Sequence, residues 1–199
     1  MTRPLRKPRS GLAALSHVPR HVVLLRGINL VKRNRIAMPE LRAALEAAGF
    51  RDVSTYVKSG NVLLSSTKQP ERVARDVSVL IKKRFGLDIA VVVRSREELA
   101  QIVRHNPLRK VVNDPKRHLV TFMSAAPPAE LVQLMRDGAG PQEQLTVKGR
   151  EVYSWHPAGV GRSPLWERLA GKLPDITATT RNWSTVTTLA AMADGTTDR

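Results

Sequence analysis

Val22-Val23-Leu24-Leu25 is the stretch that most restricts the fold. Four consecutive apolar residues with no polar alternation describe a central strand covered on both faces. The run stops at Arg26-Gly27-Ile28-Asn29, so polar groups leave the core where the strand ends. Such a strand needs partners on either side and packing above and below, and the next eighty residues offer them in order. Pro39 opens a helix with Leu41, Ala44, Leu45 and Ala48 as its buried stripe. Gly49 closes it in a left-handed conformation and Phe50 packs back on the last turn. Strands over 53–58 and 62–66 are joined by Ser59-Gly60-Asn61, a hairpin signal. Pro70 begins a second helix, where Val73, Val77, Leu80, Ile81 and Phe85 recur at helical spacing. A fourth strand is expected over 89–93. Ser95 with Glu98 then forms a capping box for a third helix carrying Leu99, Ile102 and Val103, which Asn106-Pro107 ends. The order β-α-β-β-α-β-α is a split β-α-β unit plus one helix.

From Leu119 the same order recurs without obvious sequence similarity. A strand over 119–124 leads to a helix over 129–136 closed by Gly138. A hairpin over 144–148 and 151–155 turns at Gly149-Arg150. Ser163-Pro164 caps and opens a helix through Ala170, a short strand covers 176–178, and Asn182 caps a last helix with Trp183, Val186 and Leu189 on one face. The expected fold class is α+β: two ferredoxin-like (β-α-β-β-α-β) units, each followed by an extra helix. The expected division is a disordered basic extension over 1–20, a first unit over 21–107, a linker over 108–117, a second unit over 118–193 and a tail over 194–199.

The chain contains no cysteine, which excludes disulfides, thiol catalysis and cysteine-based metal sites. Its five histidines are scattered and no carboxylates cluster with them, so neither a metal nor a cofactor is expected. No apolar stretch is long enough for a signal-peptide core or a membrane helix, and a cytoplasmic protein without membrane partners is expected. Thirty-three lysines and arginines against 17 acids give a net charge of +16. That excess favours polyanionic partners, nucleic acid or a phosphate-bearing small molecule. The plainer alternative is a basic protein from an arginine-rich proteome.

Arg26, Asn29, Ser59, Asn61, Arg181 and Asn182 stand at the ends of core elements. Arginine offers a two-pronged donor fork to oxyanions, so together they suit a cradle for a phosphate or carboxylate. Taken singly they have structural uses: Asn61 in a turn, Asn182 as a cap, Arg26 against a buried carboxylate. Gly159-Val160-Gly161-Arg162-Ser163 precedes a helix start but fits neither a Walker loop nor a dinucleotide fingerprint, and reads as a connector. Tyr153 and Trp155 share one sheet face; they suit base stacking in an RNA-recognition fold, or packing under a helix or between units. The motif segments show neither a histidine paired with a nucleophile nor paired carboxylates, which leaves hydrolytic mechanisms without residues.

Leu24-Leu25-Arg26-Gly27-Ile28-Asn29, Tyr56-Val57-Lys58-Ser59-Gly60-Asn61-Val62 and Arg181-Asn182-Trp183 resemble, in order and spacing, the bacterial domain of unknown function 1697 family. The resemblance covers roughly residues 21 to 193. It implies two ferredoxin-like units and brings no established activity with it. Val31 and Lys32 stand where two glycines usually follow the first motif, and Lys58 where glutamine is frequent. The function expected from these readings is binding of an anionic partner through a basic polar site. The alternative is an enzyme acting on a small anionic metabolite by positioning and electrostatic stabilisation, without metal or covalent nucleophile.

Overall fold

β1 (Arg20–Leu25) lies inside a four-stranded sheet, as its apolar run requires. The computed structural model that shows this describes residues 18–29, 34–171 and 175–196. Most of the extension expected over 1–20, the loop residues Val31, Lys32 and Arg33, and positions 197–199 of the tail lie outside the described residues. α1 (Met38–Ala47), β2 (Arg51–Tyr56), β3 (Asn61–Ser65), α2 (Pro70–Phe85) and β4 (Val91–Ser95) complete the first unit. Its sheet has the order β2-β3-β1-β4 with every neighbouring pair antiparallel. α3 (Arg96–Arg104) follows, started by the expected capping box: Ser95 Oγ accepts from Glu98 N, and the Glu98 carboxylate accepts from Ser95 N.

The second unit repeats the plan with β5 (His118–Met123), α4 (Ala129–Asp137), β6 (Gln144–Lys148), β7 (Glu151–Trp155), α5 (Pro164–Ala170) and β8 (Ala178–Asn182). Its sheet order is β6-β7-β5-β8, again antiparallel, and α6 (Trp183–Asp194) follows it. The fold is therefore α+β, with two ferredoxin-like units that each carry an added helix.

The period of two along β1 splits its side chains between two cores. Val23 and Leu25 pack with Leu41, Val73 and Ile81 of α1 and α2. Val22 and Leu24 point the other way, into a core shared with Leu99 of α3, Val186 of α6 and Phe122 and Tyr153 of the second sheet. Both sheets thus turn one face toward a middle layer formed by α3 and α6. Met123 and Val152 face outward onto Leu165 and Leu169 of α5. α6 follows the second unit in sequence but packs on β1 and β3 of the first as well as on β5 and β8. Leu24 is fully buried at this shared layer, so Leu24→Ala costs about 2–5 kcal/mol and weakens both units together.

Three details differ from the sequence reading. β4 runs to Ser95 rather than stopping at Val93, because Arg94 pairs with Val22 inside the sheet and is buried there. The hairpin after β2 turns over residues 57–60, with Val57 and Gly60 both at positive φ, so Asn61 is the first residue of β3. β8 covers Ala178–Asn182, not 176–178. Its polar sequence gives no apolar signal, and pairing with β5 decides its place: Arg181 opposite Val120, Thr180 opposite Thr121.

Candidate functional site

Arg181 is the most heavily bonded side chain at the end of β1. It is 9% exposed, and its partners are all neutral oxygens. Nε donates to Asn61 Oδ1, and Nη1 donates to Thr179 Oγ1 and Thr180 O at 2.9 and 2.8 Å. Nη2 donates to Leu25 O at 2.8 Å and to Ser59 O and Gly60 O at 3.2 Å. Burial pushes its pKa down to about 10, which leaves it cationic at neutral pH. Asn61, fully buried, donates to Tyr56 O and Ser59 Oγ, so turn and guanidinium are locked together.

The other residues singled out in the sequence also bond to the protein. Asn29 donates to Ile36 O and Lys58 O and accepts from Ile36 N, bracing the loop after β1 against the turn. Arg26 Nη2 donates to Ala170 O and Gly171 O at 2.9 and 2.8 Å, on the carbonyl end of α5, where the peptide dipoles favour a cation. Asn182 Oδ1 accepts from Thr185 N as the cap of α6. The structure therefore gathers Arg181, Asn61 and Ser59 into one cluster. It sends Arg26 from the same strand end toward α5, and sets Asn29 and Asn182 at either side. The Arg181 and Arg26 contacts join the first unit to the second.

Two further buried networks are present, and the first of them reinforces that junction. Arg94 Nε donates to Glu151 Oε1 at 2.7 Å, and Nη2 donates to Met123 O at 2.6 Å, tying β4 to β7 and β5. In the second unit His156 contacts Glu143 Oε1 (3.1 Å) and Ser163 Oγ (2.7 Å) through Nδ1, and Ser154 Oγ (2.8 Å) through Nε2. Ser154, His156 and Glu143 have the composition of a hydrolytic triad, which the sequence reading missed. Ser154 and His156 sit two apart on one strand face, a signal that strand alternation would carry. Both are 0% exposed, so this network is structural. Tyr153 and Trp155 lie in the core between the two sheets, which removes the face that an RNA-recognition fold uses.

The segment joining the units offers a different environment. Between the end of α3 and the start of α6 lies a cleft of about 370 Å³ lined by Arg104, Asn106, Arg109, Asn113, Pro115 and Trp183, with Val103 and Val112 beneath. Among the described residues no carboxylate lines it, whereas two other cavities of similar size carry glutamates: Glu97, Glu98 and Glu151 in one, Glu71 and Glu98 in the other. Arg104 and Arg109 are exposed, and among the described residues neither has an ion pair or hydrogen bond from its side chain. Asp114, the nearest acid in sequence, is held by Arg117 at 3.2 Å. Trp183 N donates to Pro115 O at 3.1 Å, which fixes the tryptophan against this segment. Residues 108–117, expected as a linker, carry four cations and one acid.

Residues 18–153 match the sequence model of a family described as a protein of unknown function, DUF1697. The chain belongs to that family. The first two motifs of DUF1697 resemblance fall inside the matched residues, at the end of β1 and in the hairpin turn, and Arg181-Asn182-Trp183 lies beyond them. No curated protein matches the sequence. Among solved structures, a conserved bacterial protein, SP0830 from Streptococcus pneumoniae, is similar at 20% identity and a TM-score of 0.71, over 88% of this chain and 99% of that one. At that identity the likeness concerns the fold, which this DUF1697 member shares over most of its length.

Proposed function

We propose that this protein binds a phosphate-bearing anionic partner through the basic segment running from Arg104 to Arg117. The observation that carries the reading is the pairing of Arg104 and Arg109 on one concave site that no carboxylate lines among the described residues. Arginines lacking protein partners keep their planar donor forks available, and those forks match phosphate oxygens. The net charge of +16 draws such a partner in. Three of the six residues named from the sequence serve this site as positioning groups. Arg181 and Asn61 anchor β8, Asn182 caps the helix that follows, and the next residue, Trp183, lines the cleft.

A thermal-shift panel of nucleotides, sugar phosphates and short oligonucleotides tests the reading, because a ligand bound to the native state raises Tm. The expected result is a rise with phosphate-bearing compounds that is lost in an Arg104→Gln/Arg109→Gln variant. An equal rise in that variant, or no rise with any member of the panel, contradicts the proposal.

A further inference from the structure

Resting on that reading, we infer that the cleft takes one nucleoside phosphate unit, with Trp183 under the base and Arg104 and Arg109 on the phosphate. Three observations beyond charge point this way. Trp183 is half-buried, and its ring stands 4.9 Å from that of His118, itself fully buried. The imidazole backs the indole from the core side, so the ring keeps its place beside the cleft. A fixed aromatic face beside phosphate-binding cations is the arrangement that stacks a heterocycle. Asn106 is 8% exposed, its Oδ1 accepts from Leu108 N at 2.9 Å, and its Nδ2 has no protein acceptor among the described residues. A nearly buried amide with an unspent donor at a cleft wall suits a base-edge or sugar oxygen, and Asn113 adds an exposed amide. The volume of about 370 Å³ lies at the small end for ligand sites and suits a single nucleotide unit. A base within a duplex has no free face to offer the indole.

The same chemistry is presented by a free nucleotide and by one position of a single strand, and the experiment separates them. Binding is measured by isothermal titration calorimetry with adenosine monophosphate, a ten-residue thymidine strand, the corresponding duplex, ribose 5-phosphate and inorganic phosphate. The expected order places the base-bearing, unpaired probes at least tenfold tighter than ribose 5-phosphate, inorganic phosphate and the duplex. A strand much tighter than the mononucleotide identifies a nucleic acid as the partner, and equal affinities identify a free nucleotide. Trp183→Leu should weaken the base-bearing probes about tenfold and leave inorganic phosphate unchanged, while Trp183→Phe, which keeps a ring against His118, should lose less. Melting curves establish that each variant is folded; if Trp183→Leu is not, Trp183→Phe and Asn106→Ala carry the test. Inorganic phosphate binding as tightly as the nucleotide, or Trp183 variants without effect, overturns the inference. In that event loss of phosphate binding in Arg104→Gln/Arg109→Gln would still support the broader anion-binding reading, and its persistence would refute both.

Discussion

Arg181 Nε donates to Asn61 Oδ1, linking the last strand of the second sheet to the first residue of β3 in the other. Around this bond the guanidinium also satisfies three carbonyls at the end of β1 and in the hairpin turn. Arg181→Ala would strip Asn61 Oδ1 and Ser59 O of their donors and leave Leu25 O only Thr179 Oγ1 at 3.5 Å, while Gly60 O keeps Leu25 N. Each buried acceptor left unpaired costs about 1–3 kcal/mol. A loss of about 3–5 kcal/mol in urea unfolding is expected. Arg181→Lys should recover only part of it, since an ammonium has three donors and no planar fork.

Gly60 is the tightest point of the same joint. It has φ +81, and an added Cβ would stand 2.8 Å from Leu25 Cβ and 2.9 Å from Ile28 Cγ1. Both neighbours are buried core atoms that cannot swing aside. Gly60→Ala should therefore cost about 2 kcal/mol or more, through left-handed strain and overpacking together. Gly86→Ala, at φ +70 with open space around it, should show only the smaller conformational term.

The Arg94–Glu151 pair predicts an asymmetric mutational pattern. Both side chains are buried between the sheets, so removing one strands the other: Arg94→Met or Glu151→Leu alone should cost about 3–5 kcal/mol. The double variant should recover much of that loss. A double-mutant cycle on denaturant unfolding measures the coupling.

How much of this was legible in the sequence depended on whether the signal was local. β1 could be read because Val22–Leu25 allows few other structures, and the Ser95–Glu98 and Asn182 caps because their partners lie three residues away. β8 could not, since Ala178-Thr179-Thr180-Arg181-Asn182 is polar and becomes a strand only by pairing with β5. The Arg181 joint was visible as a set of residue types, but its contacts join Leu25 to a position far along the chain and no spacing rule supplies them. The cleft lies on the segment taken as a linker, because its walls come from α3, the 108–117 stretch and the start of α6 together. The return of α6 to the first sheet made that wall, and topology alone determines it.

Acid should weaken the fold before it affects anything else. Burial holds the pKa of His118 and His156 below 6.5 in the native state, so both resist protonation there while the unfolded chain accepts protons normally. Burial pushes the Glu143 carboxyl up, but hydrogen bonds from Ser163, Gly140 N and His156 outweigh it and hold it below the usual range. The unfolded state binds more protons at low pH, so the histidine contribution to stability is fully present above about pH 7 and is lost as pH drops through 6.5. Each histidine contributes a slope of up to about 1.4 kcal/mol per pH unit in that window. Glu143 adds to the fall below about pH 4.5. His156→Asn should lower stability at neutral pH yet show a shallower slope between about pH 5 and 6.5 in thermal melts.

The central claim is that Arg104 and Arg109 hold phosphates, and the salt dependence of binding tests it most directly. Affinity for a labelled ten-residue thymidine strand is measured from about 50 to 200 mM salt for the wild-type protein and for Arg104→Gln/Arg109→Gln. Each phosphate contact on a single strand contributes about 0.7 to the slope of log affinity against log salt. The double variant should bind more weakly, with a slope shallower by about 1.4. Equal affinity and an unchanged slope in a variant that melts like the wild type would contradict it.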